Sequence, residues 1–383
     1  MTGFIFTTTR SVICQPSASH ELAQHVVSLG IQRPFVVTDG GVLKTGIMGP
    51  ALASLTSASL DFAVFSDVVA DPPEAVVVHA VEQARAHQCD GIIGFGGGSA
   101  MDTAKLVALL VRGEQSLADV YGVGNATCSR LPLIQIPTTA GTGSEVTPIA
   151  IVTTGETTKM GVVAPQLLPD LAILDATLTT GLPAAVTAAT GIDAMVHAIE
   201  AYTSKLKKNP YSDMLAREAL RLLSRNIETA VHQGDNVEAR SNMLLGAMLA
   251  GQAFANAPVA AVHALAYPLG GIYHIPHGLS NSLVLPHVMR FNLASASDAY
   301  AELAPIVLPQ GRSLGANPAE TLIDYLVELS KNVLLPQRLR DLDIPENAIG
   351  QLASDAMLQT RLLMNNPRDV SEDDARIIYQ SAW

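Results

Sequence analysis

The chain has 383 residues, 48% of them hydrophobic, and its 35 acidic residues outnumber 23 basic ones, which gives a formal net charge of −12. This length predicts two domains, and the acidic balance argues against a nucleic-acid partner or an anionic membrane surface. Cys14, Cys89 and Cys128 lack the spacing of a metal site or a disulfide framework, and no stretch reads as a signal peptide or membrane span. We therefore expect a cytoplasmic protein.

The first half of the chain alternates short β-rich runs with amphipathic segments. The predicted strands lie in RPFVVTDGG, DFAVFSDVV, CDGIIGFGGGS, LPLIQIPTT, KMGVVAP and LAILDATL. Strands bounded by Gly, Pro and Asp and separated by segments such as EAVVVHAVEQARAH are typical of a mainly parallel sheet with helices on its faces. Residues 1–182 are therefore predicted to form an α/β domain.

The second half of the chain has the period of helices. In MLAREALRLLSRNIETAV and ARSNMLLGAMLAGQAF apolar residues recur every three or four positions, and β-branched runs are few. Because the change follows GLPAAVTAATG, we place the boundary at Leu182 and Pro183. Residues 183–383 are predicted to form an all-α domain.

A glycine loop follows the predicted strand GIIGFG. Gly96, Gly97 and Gly98 have no side chains, so their N–H groups can approach an anion closely, and a helix beginning at Ser99 would add partial positive charge. This pattern suits a diphosphate, although Ser99 stands where a GxGxxG fingerprint has its third glycine. The alternative is a tight turn in which Ser99 is the N-cap and Asp102 completes a box-like cap.

A second polar loop, IPTTAGTGSEVTP, follows another predicted strand. Its hydroxyl-bearing residues are Thr138, Thr139, Thr142, Ser144 and Thr147. Hydroxyl groups and glycine amides suit ribose and phosphate oxygens. Two such loops after strands of one sheet favour a nucleotide site over ordinary solvent loops.

Asp39 ends the predicted strand FVVTD. A carboxylate at this position can accept hydrogen bonds from an adenosine ribose and repel a 2′-phosphate, so a dinucleotide bound here would be NAD rather than NADP. The alternative is a turn residue before two glycines.

Two potential metal ligands lie one turn apart in the helical segment TGIDAMVHAIEAY. Asp193 and His197 are four residues apart, which places both side chains on one helix face. Alone, such a pair is commonly just hydrogen-bonded. With His263 and His277 from HALAYPLGGIYHIPHG, the set becomes one carboxylate and three imidazoles, which suits Fe²⁺ or Zn²⁺ with room for a substrate oxygen.

Two neighbouring residues are not predicted as ligands. Glu200 lies seven residues after Asp193 and is expected at the surface or in contact with a ligand. His274 is expected to line the pocket or to contact a ligand rather than bind the metal.

The motifs GGGSAMDTAK, PTTAGTGSEVTP, ATGIDAMVHAIEAY and HALAYPLGGIYHIPHG occur in the order and at the separations of a known family. On these motifs the chain resembles the iron-containing (group III) alcohol dehydrogenases over essentially its full length. The resemblance implies a Rossmann-like α/β domain that holds NAD, followed by an all-helical domain that holds the metal, in a dehydroquinate synthase-like fold. It also implies a homodimer or a larger homo-oligomer.

The loops above and the resemblance together give a set of candidate site residues. The metal ligands are Asp193, His197, His263 and His277. The cofactor residues are Asp39, Asp71, Gly96, Gly97, Gly98, Ser99, Asp102, Thr138, Thr139, Thr142, Thr147, Lys159 and Leu178. Asp71 stands where many members have Asn. Phe254 falls where relatives line the substrate pocket, or is a core aromatic of its helix, and Ile149 and Ile151 favour a short, weakly charged substrate.

One position departs from the family's pattern. Many members carry a histidine four residues after the first ligand of the C-terminal motif, and this chain has Tyr267 there. A proton relay through that histidine is therefore not expected. Tyr267 and His274 are the candidates to contact the substrate or to pass a proton.

The predicted reaction is hydride transfer between NAD(H) and a small primary alcohol or aldehyde, with the metal as a Lewis acid for the alcohol oxygen. Within the superfamily, the alternative is a polyol or hydroxyacid dehydrogenase similar to glycerol dehydrogenase or maleylacetate reductase. A metal hydrolase with the same ligands is an alternative from a different class, but it leaves both cofactor loops without a purpose. A catalytically inactive binding protein is disfavoured by the intact ligand set.

Overall fold

The computed structural model describes residues 3–155 and 158–383; residues 1, 2, 156 and 157 of the predicted α/β domain lie outside this part of the chain. The chain forms two compact units. One comprises residues 8–180, and the other comprises residues 181–383 together with the segment up to Thr7.

The predicted boundary at Leu182 and Pro183 lies two residues after the division between these units, and Pro183 is the N-cap of the first helix that follows. The N-terminal segment groups with the later residues because it pairs with Asn256. Thr7 N donates to Asn256 Oδ1 at 2.8 Å, and Asn256 Nδ2 donates to Thr7 O at 2.9 Å. Nothing in the sequence had indicated this pairing.

The unit of residues 8–180 contains strands and helices in alternation. Its strands are β1 (Ser11–Cys14), β2 (Pro34–Asp39), β3 (Ala63–Val68), β4 (Gly91–Gly96), β5 (Gly122–Val123), β6 (Leu133–Pro137), β7 (Ile149–Thr154), β8 (Thr158–Val163) and β9 (Leu171–Leu174). Its α-helices are α1 (Leu22–Ser28), α2 (Gly40–Thr45), α3 (Gly49–Ser57), α4 (Glu74–His87), α5 (Gly98–Leu110) and α6 (Leu117–Val120). Short 3₁₀ helices occupy Ala18–Glu21, Ser144–Val146, Pro165–Leu167 and Ala176–Thr179.

Six strands form one parallel sheet in the order β1-β9-β6-β4-β2-β3, and β5, β8 and β7 form a smaller sheet. Successive residues of the central strands point into different cores. Phe35 and Ile92 pack in one core, whereas Val36 and Ile93 pack in the other. Because helices cover both faces of such a sheet, its strands are apolar on both sides. The α/β prediction is confirmed.

The connections that leave β2 and β4 run in opposite directions across the large sheet. From β2 the chain passes through α2 and α3 to β3, whereas from β4 it passes through α5 to β6 on the other side. In open α/β sheets, ligands bind at the carboxyl ends of two such diverging strands. Asp39 and Gly96 are the last residues of these two strands.

The second unit is helical, as predicted. Its α-helices are α7 (Ala184–Thr203), α8 (Pro210–His232), α9 (Val237–Asn256), α10 (Ala261–Tyr273), α11 (His277–Val307), α12 (Pro318–Asn332), α13 (Ile349–Ala356), α14 (Thr360–Leu363) and α15 (Glu372–Ala382). Short 3₁₀ helices occupy Leu339–Leu342 and Glu346–Ala348. The two segments with helical period lie in α8 and α9, where Asn209 and Asn236 cap the first turns by accepting from Ser212 N and Ala239 N.

Helix α7 is the central helix of this unit. Every residue from Gly191 to Thr203 is buried, and the helix packs against α8, α9 and α11. A helix that is buried on all sides must satisfy each polar side chain internally. Its buried Asp193, His197 and Glu200 therefore require partners within the protein.

Among residues 3–155 and 158–383, no single helix is long and apolar enough to cross a membrane. Helices α9 and α10 together would be long and apolar enough, but the chain bends by 107° between them.

Candidate active site

The four side chains predicted as metal ligands converge in the helical unit. Asp193 and His197 lie on α7, His263 lies on α10, and His277 begins α11. One ligand atom from each lies within 4.8 Å of the others. His277 Nε2 is 3.7 Å from Asp193 Oδ1, and the rings of His197 and His263 are stacked with centroids 4.8 Å apart.

Close packing of two helices at a glycine brings His277 to the other ligands. Gly278 lies against α7, where an added Cβ would be 2.4 Å from Ala189 O and 3.1 Å from Asp193 Cβ. A side chain at this position would therefore push the start of α11 away from α7. The segment HALAYPLGGIYHIPHG is mainly helix α10, and its last two residues, His277 and Gly278, begin α11.

Glu200 is buried and contacts His263, one of the four ligand candidates. Its Oε2 lies 2.6 Å from His263 Nδ1, and its Oε1 accepts from Val262 N at 2.7 Å. A carboxylate on one ring nitrogen fixes the tautomer that leaves the other nitrogen free for a metal. His263 Nε2 is therefore the nitrogen available to a cation.

The electrostatics of the cluster keep its carboxylate ionised. Burial alone would raise the pKa of Asp193. Positive charge on His197, His277 and His263, together with a hydrogen bond from Asn281, outweighs burial and lowers the pKa. An ionised carboxylate is the form that binds a cation. One carboxylate oxygen and three imidazole nitrogens form a donor set that fits Fe²⁺ or Zn²⁺.

Three further predicted residues lie on the helices of this cluster. The Phe254 ring stacks on His197 with centroids 4.4 Å apart, and the half-buried Tyr267 ring lies 5.9 Å from that of His277. The His277 side chain is 33% exposed, against 3% for His263, so the cluster is accessible on the side of His277 and Tyr267. His274 is exposed, with a left-handed φ of 55°, and ends α10 through its backbone N–H.

The glycine loop lies at the end of β4, as predicted, but its helix begins one residue earlier than expected. Helix α5 starts at Gly98 with Gly97 as its N-cap, so the prediction of a helix opening at Ser99 was wrong by one residue. The N-cap has no side chain to satisfy the first N–H groups, which leaves them available to an anion. An added Cβ at Gly97 would meet nothing closer than 3.6 Å, whereas one at Gly98 would lie 2.8 Å from Thr142 Cγ2.

Asp102 does not complete a helix cap, contrary to the alternative reading of the glycine loop. Its Oδ1 accepts from Ser144 Oγ at 2.5 Å, and its Oδ2 accepts from Ile151 N at 2.9 Å. In a helix cap, Asp102 would accept a hydrogen bond from a backbone N–H at the start of the helix. Its two oxygens instead accept hydrogen bonds from the second polar loop and from the strand that follows it. Asp102 therefore joins helix α5 to that region.

The second polar loop contacts the glycine loop directly. Thr138 N donates to Gly96 O at 3.0 Å, and Thr139 Oγ1 lies 3.6 Å from the Cβ position of Gly97. The two predicted cofactor loops therefore form one surface at the ends of the neighbouring strands β4 and β6.

Asp39 lies on the adjoining strand β2. Its Oδ1 accepts from Val42 N at 2.9 Å and so caps α2. Its Oδ2 lies 3.5 Å from the Cβ position of Gly96. One carboxylate oxygen of Asp39 therefore caps the turn, and the other faces the glycine loop.

Three more of the predicted cofactor residues, Asp71, Lys159 and Leu178, contact other parts of the protein. Asp71 has a left-handed φ of 50°, and its Oδ1 pairs with Lys159 Nζ on β8. Leu178 is buried in one of the two cores of the large sheet. Ile149 and Ile151, the apolar substrate-pocket candidates, are half-buried residues of β7 in the smaller sheet.

A buried lysine, which no sequence motif indicated, connects helix α5 to the second polar loop. Lys105 on α5 is 0% exposed, and its Nζ donates to Ser144 Oγ at 2.8 Å, Thr147 Oγ1 at 3.1 Å and Ile149 O at 2.6 Å. Its nearest anion is Asp102, 3.6 Å away. Thr147, predicted to contact the cofactor, is buried against this lysine.

Burial shifts the titration of this lysine and of a neighbouring acid. It lowers the pKa of Lys105 to about 8 despite the carboxylates of Asp102 and Glu145. It raises the pKa of Glu145 to about 7, and hydrogen bonding and Lys105 oppose that rise. The loops of the predicted cofactor site are therefore built on a buried charged cluster.

The chain matches known proteins over nearly its whole length. The iron-containing alcohol dehydrogenase family matches residues 9–176, and its C-terminal part matches residues 187–383. The long-chain-alcohol dehydrogenase 1 of Geobacillus thermodenitrificans (strain NG80-2) is 42% identical over 372 residues, covering 96% of this chain and 93% of that protein.

Solved structures also match over the whole chain. A crystal structure of 1,3-propanediol oxidoreductase has a TM-score of 0.95 and 36% identity, with complete coverage of both chains. A sulfoacetaldehyde reductase from Bifidobacterium kashiwanohense, solved in complex with NAD⁺, has a TM-score of 0.88 and 28% identity, covering 100% of this chain and 99% of that one.

A parallel α/β unit with diverging central strands and a helical unit with an Asp/His₃ cluster define a class of two-unit metal oxidoreductases. Within that class, the chain belongs to the iron-containing alcohol dehydrogenase family. It is an oxidoreductase that acts on alcohols.

Proposed function

We propose that the chain transfers hydride between NAD(H) and a small primary alcohol or its aldehyde, with Fe²⁺ or Zn²⁺ held by four side chains. These are Asp193, His197, His263 and His277. The observation that carries the proposal is the convergence of one carboxylate and three imidazoles within 4.8 Å. When bound there, the metal supplies Lewis acidity to an alcohol or carbonyl oxygen.

The surrounding residues have distinct tasks in this proposal. Glu200 holds the His263 ring by its Nδ1, so that Nε2 keeps its direction. Phe254 covers one face of His197 and excludes water from it. Tyr267 lies beside His277, the most accessible of the four ligand candidates, where its hydroxyl group can donate a hydrogen bond to a substrate oxygen.

The dinucleotide is assigned to the surface formed by the two polar loops of residues 8–180. The N–H groups at the start of α5 suit its diphosphate, and the Asp39 carboxylate suits the hydroxyl groups of its adenosine ribose. The structural relative solved with NAD⁺ supports this cofactor. The pair formed by Asp71 and Lys159 is assigned to the edge of the same site.

Two isoleucines of β7 indicate the substrate class. Half-buried Ile149 and Ile151 favour a short, weakly charged alcohol, and a polyol or hydroxyacid remains the alternative within the superfamily. Relatives are named for long-chain alcohols, 1,3-propanediol, methanol and sulfoacetaldehyde. Membership of an alcohol dehydrogenase family leaves the metal hydrolase alternative without support.

The test combines elemental analysis of the purified protein with a screen of alcohols and aldehydes that follows NADH absorbance. We expect roughly one iron or zinc per chain and turnover with a short primary alcohol. A chelator should abolish turnover, and re-addition of the metal should restore it. Full activity in verified metal-free protein would contradict the metal role, and better turnover of polyols or hydroxyacids would change the substrate class.

The assembly and the cellular location stay predictions. A homodimer or larger homo-oligomer and a cytoplasmic location are expected from the sequence. Analytical ultracentrifugation and cell fractionation measure them directly.

A further inference from the structure

Asn281 lies among the metal-ligand candidates, although no motif assigned it a role. It is on α11, four residues after His277, so the two side chains share one helix face. The residue is 0% exposed. A fully buried carboxamide must satisfy up to two donors and one acceptor from within the protein.

The nitrogen end of this carboxamide faces the ligand cluster. Asn281 Nδ2 donates to Asp193 Oδ1 at 2.6 Å, and it lies 3.3 Å from His263 Nε2 and 3.3 Å from His277 Nε2. The short contact joins a donor to an ionised carboxylate, which is the stronger kind of hydrogen bond. It also fixes the carboxamide orientation, because a flipped group would place two acceptor oxygens together.

Asn281 Oδ1 is buried and accepts no hydrogen bond from the part of the chain that the structure describes. A buried acceptor without a donor destabilises the fold, and an apolar side chain of similar size would avoid that cost. The contacts of Nδ2 with the ligand candidates, the shortest of which is to Asp193, therefore account for an asparagine at this position.

We propose that Asn281 is a positioning residue for the metal ligand Asp193. Its Nδ2 holds one carboxylate oxygen and so fixes the rotamer in which Asp193 binds a divalent cation. Hydrogen bonds of this kind orient ligands and typically contribute 10- to 100-fold to metal affinity. The inference rests on the proposed metal site.

The first test measures Zn²⁺ affinity by competition with a chelator, starting from metal-free protein. Asn281→Leu keeps the branched shape at a somewhat larger volume and removes the donor, and Asn281→Ala is a second variant in case leucine does not fit. We expect each to bind Zn²⁺ about 10- to 100-fold more weakly than the unsubstituted protein. Equal affinity in a folded Asn281 variant would overturn the inference.

Asn292→Ala is the matched control, because Asn292 is a buried asparagine on the same helix whose carboxamide pairs with Asn366. The two bonds measure 3.0 and 2.8 Å. Thermal unfolding of the metal-free variants shows what each substitution costs the fold. The control should lose stability and keep its Zn²⁺ affinity within about twofold; an equal loss of affinity would show a general packing effect and overturn the inference.

A double-mutant cycle tests whether Asn281 acts through Asp193. In an Asp193→Ala background three imidazoles remain, and three histidines suffice to bind zinc. There the Asn281→Leu change should cost less than about twofold in affinity. An undiminished cost would show that Asn281 acts on the metal or the histidines themselves, and the positioning role would be wrong. If the unsubstituted protein binds no divalent metal, the proposed function fails instead.

Discussion

The two units of the chain build their candidate sites from different parts of the polypeptide. In the helical unit the atoms belong to one carboxylate and three imidazole side chains, brought from α7, α10 and α11 to within 4.8 Å of one another. In the α/β unit they are backbone N–H groups and short side chains at the ends of β2, β4 and β6. Truncation should therefore damage the first site, whereas added bulk should damage the second.

The largest effect is expected from His197→Ala in the helical unit. Loss of this imidazole removes a ligand and should lower kcat by at least about 1,000-fold, since metal polarisation of an oxygen contributes several kcal/mol. NAD affinity, measured by fluorescence titration, should change by less than about threefold because the dinucleotide is assigned to the other unit. His232→Ala, an exposed histidine of α8, is the control. Retained turnover in the His197 variant would show that the site in the helical unit does not depend on this side chain.

Asp39→Ser tests the carboxylate assigned to the adenosine ribose of the cofactor. Serine can still cap α2, so the fold should be retained. Without a carboxylate to repel a 2′-phosphate, the ratio of kcat/KM for NAD over that for NADP should fall about 10- to 100-fold. An unchanged ratio would restrict Asp39 to its turn role.

Gly97→Ala tests whether the α/β site depends on open backbone. The new methyl group would meet only ordinary contacts, at 3.6 Å or more, so thermal stability should change little. A diphosphate approaching the N–H groups would meet that methyl, and the Kd for NAD should rise about tenfold. Gly98→Ala contrasts with it, because its Cβ would lie 2.8 Å from Thr142 Cγ2 and should disturb the loop itself. Wild-type NAD affinity for Gly97→Ala would remove the diphosphate from this loop.

Tyr267→Phe tests the position where a histidine is common in the family. If the hydroxyl group binds the substrate oxygen, kcat should fall about 3- to 10-fold, the worth of one hydrogen bond, and its pH dependence should change. Tyr273→Phe, near the end of the same helix, is the control. A rate unchanged across pH would remove Tyr267 from the mechanism.

A buried acid makes the stability of the α/β unit depend on pH. The pKa of Glu145 is raised to about 7, so the folded chain keeps a proton that the unfolded chain releases near pH 4.5. Its stabilising contribution is complete below that pH and is lost as the pH rises through 7. Glu145→Gln should flatten the pH dependence of the free energy of unfolding between these values, by up to about 1.4 kcal/mol per pH unit.

Lys105, the lysine next to Glu145, does not contribute to this pH dependence. The pKa of Lys105 is about 8, so this lysine is charged in both the folded and unfolded states below pH 7 and does not contribute in that window. The exposed Glu82→Gln in the same unit is the control and should leave the profile unchanged. Identical slopes for Glu145→Gln and the unsubstituted protein would place the pH dependence elsewhere.

Sequence patterns predicted the fold where burial is strong. The runs GIIGFG and LPLIQIP are apolar throughout because both faces of the large sheet are covered, and they became β4 and β6. Strand β1 has four residues with exposed ends, and β5 has two residues, so neither gives a periodic signal. The Thr7 pairing with Asn256 was also hidden, because it depends on a contact between distant parts of the chain.

The candidate site was predictable where residue type and spacing carry chemistry. The four ligand candidates stand in two motifs of histidine and aspartate, and they converge as expected. Asn281 and Lys105 gave no such signal. An asparagine has many ordinary roles, and a lysine in a helix is almost always exposed, so only their burial and partners show what they do.

The grouping of residues 3–7 with the helical unit makes that unit discontinuous in the chain. Besides the Thr7 pairing, Phe4 and Phe6 place their rings 5.8 and 5.4 Å from that of Tyr211. A recombinant fragment that starts at Gly181 would lack residues 3–7 and would expose the Tyr211 ring further. Fragments intended for separate expression should therefore graft the N-terminal residues onto the helical piece, or use a circular permutation that keeps both stretches in one polypeptide.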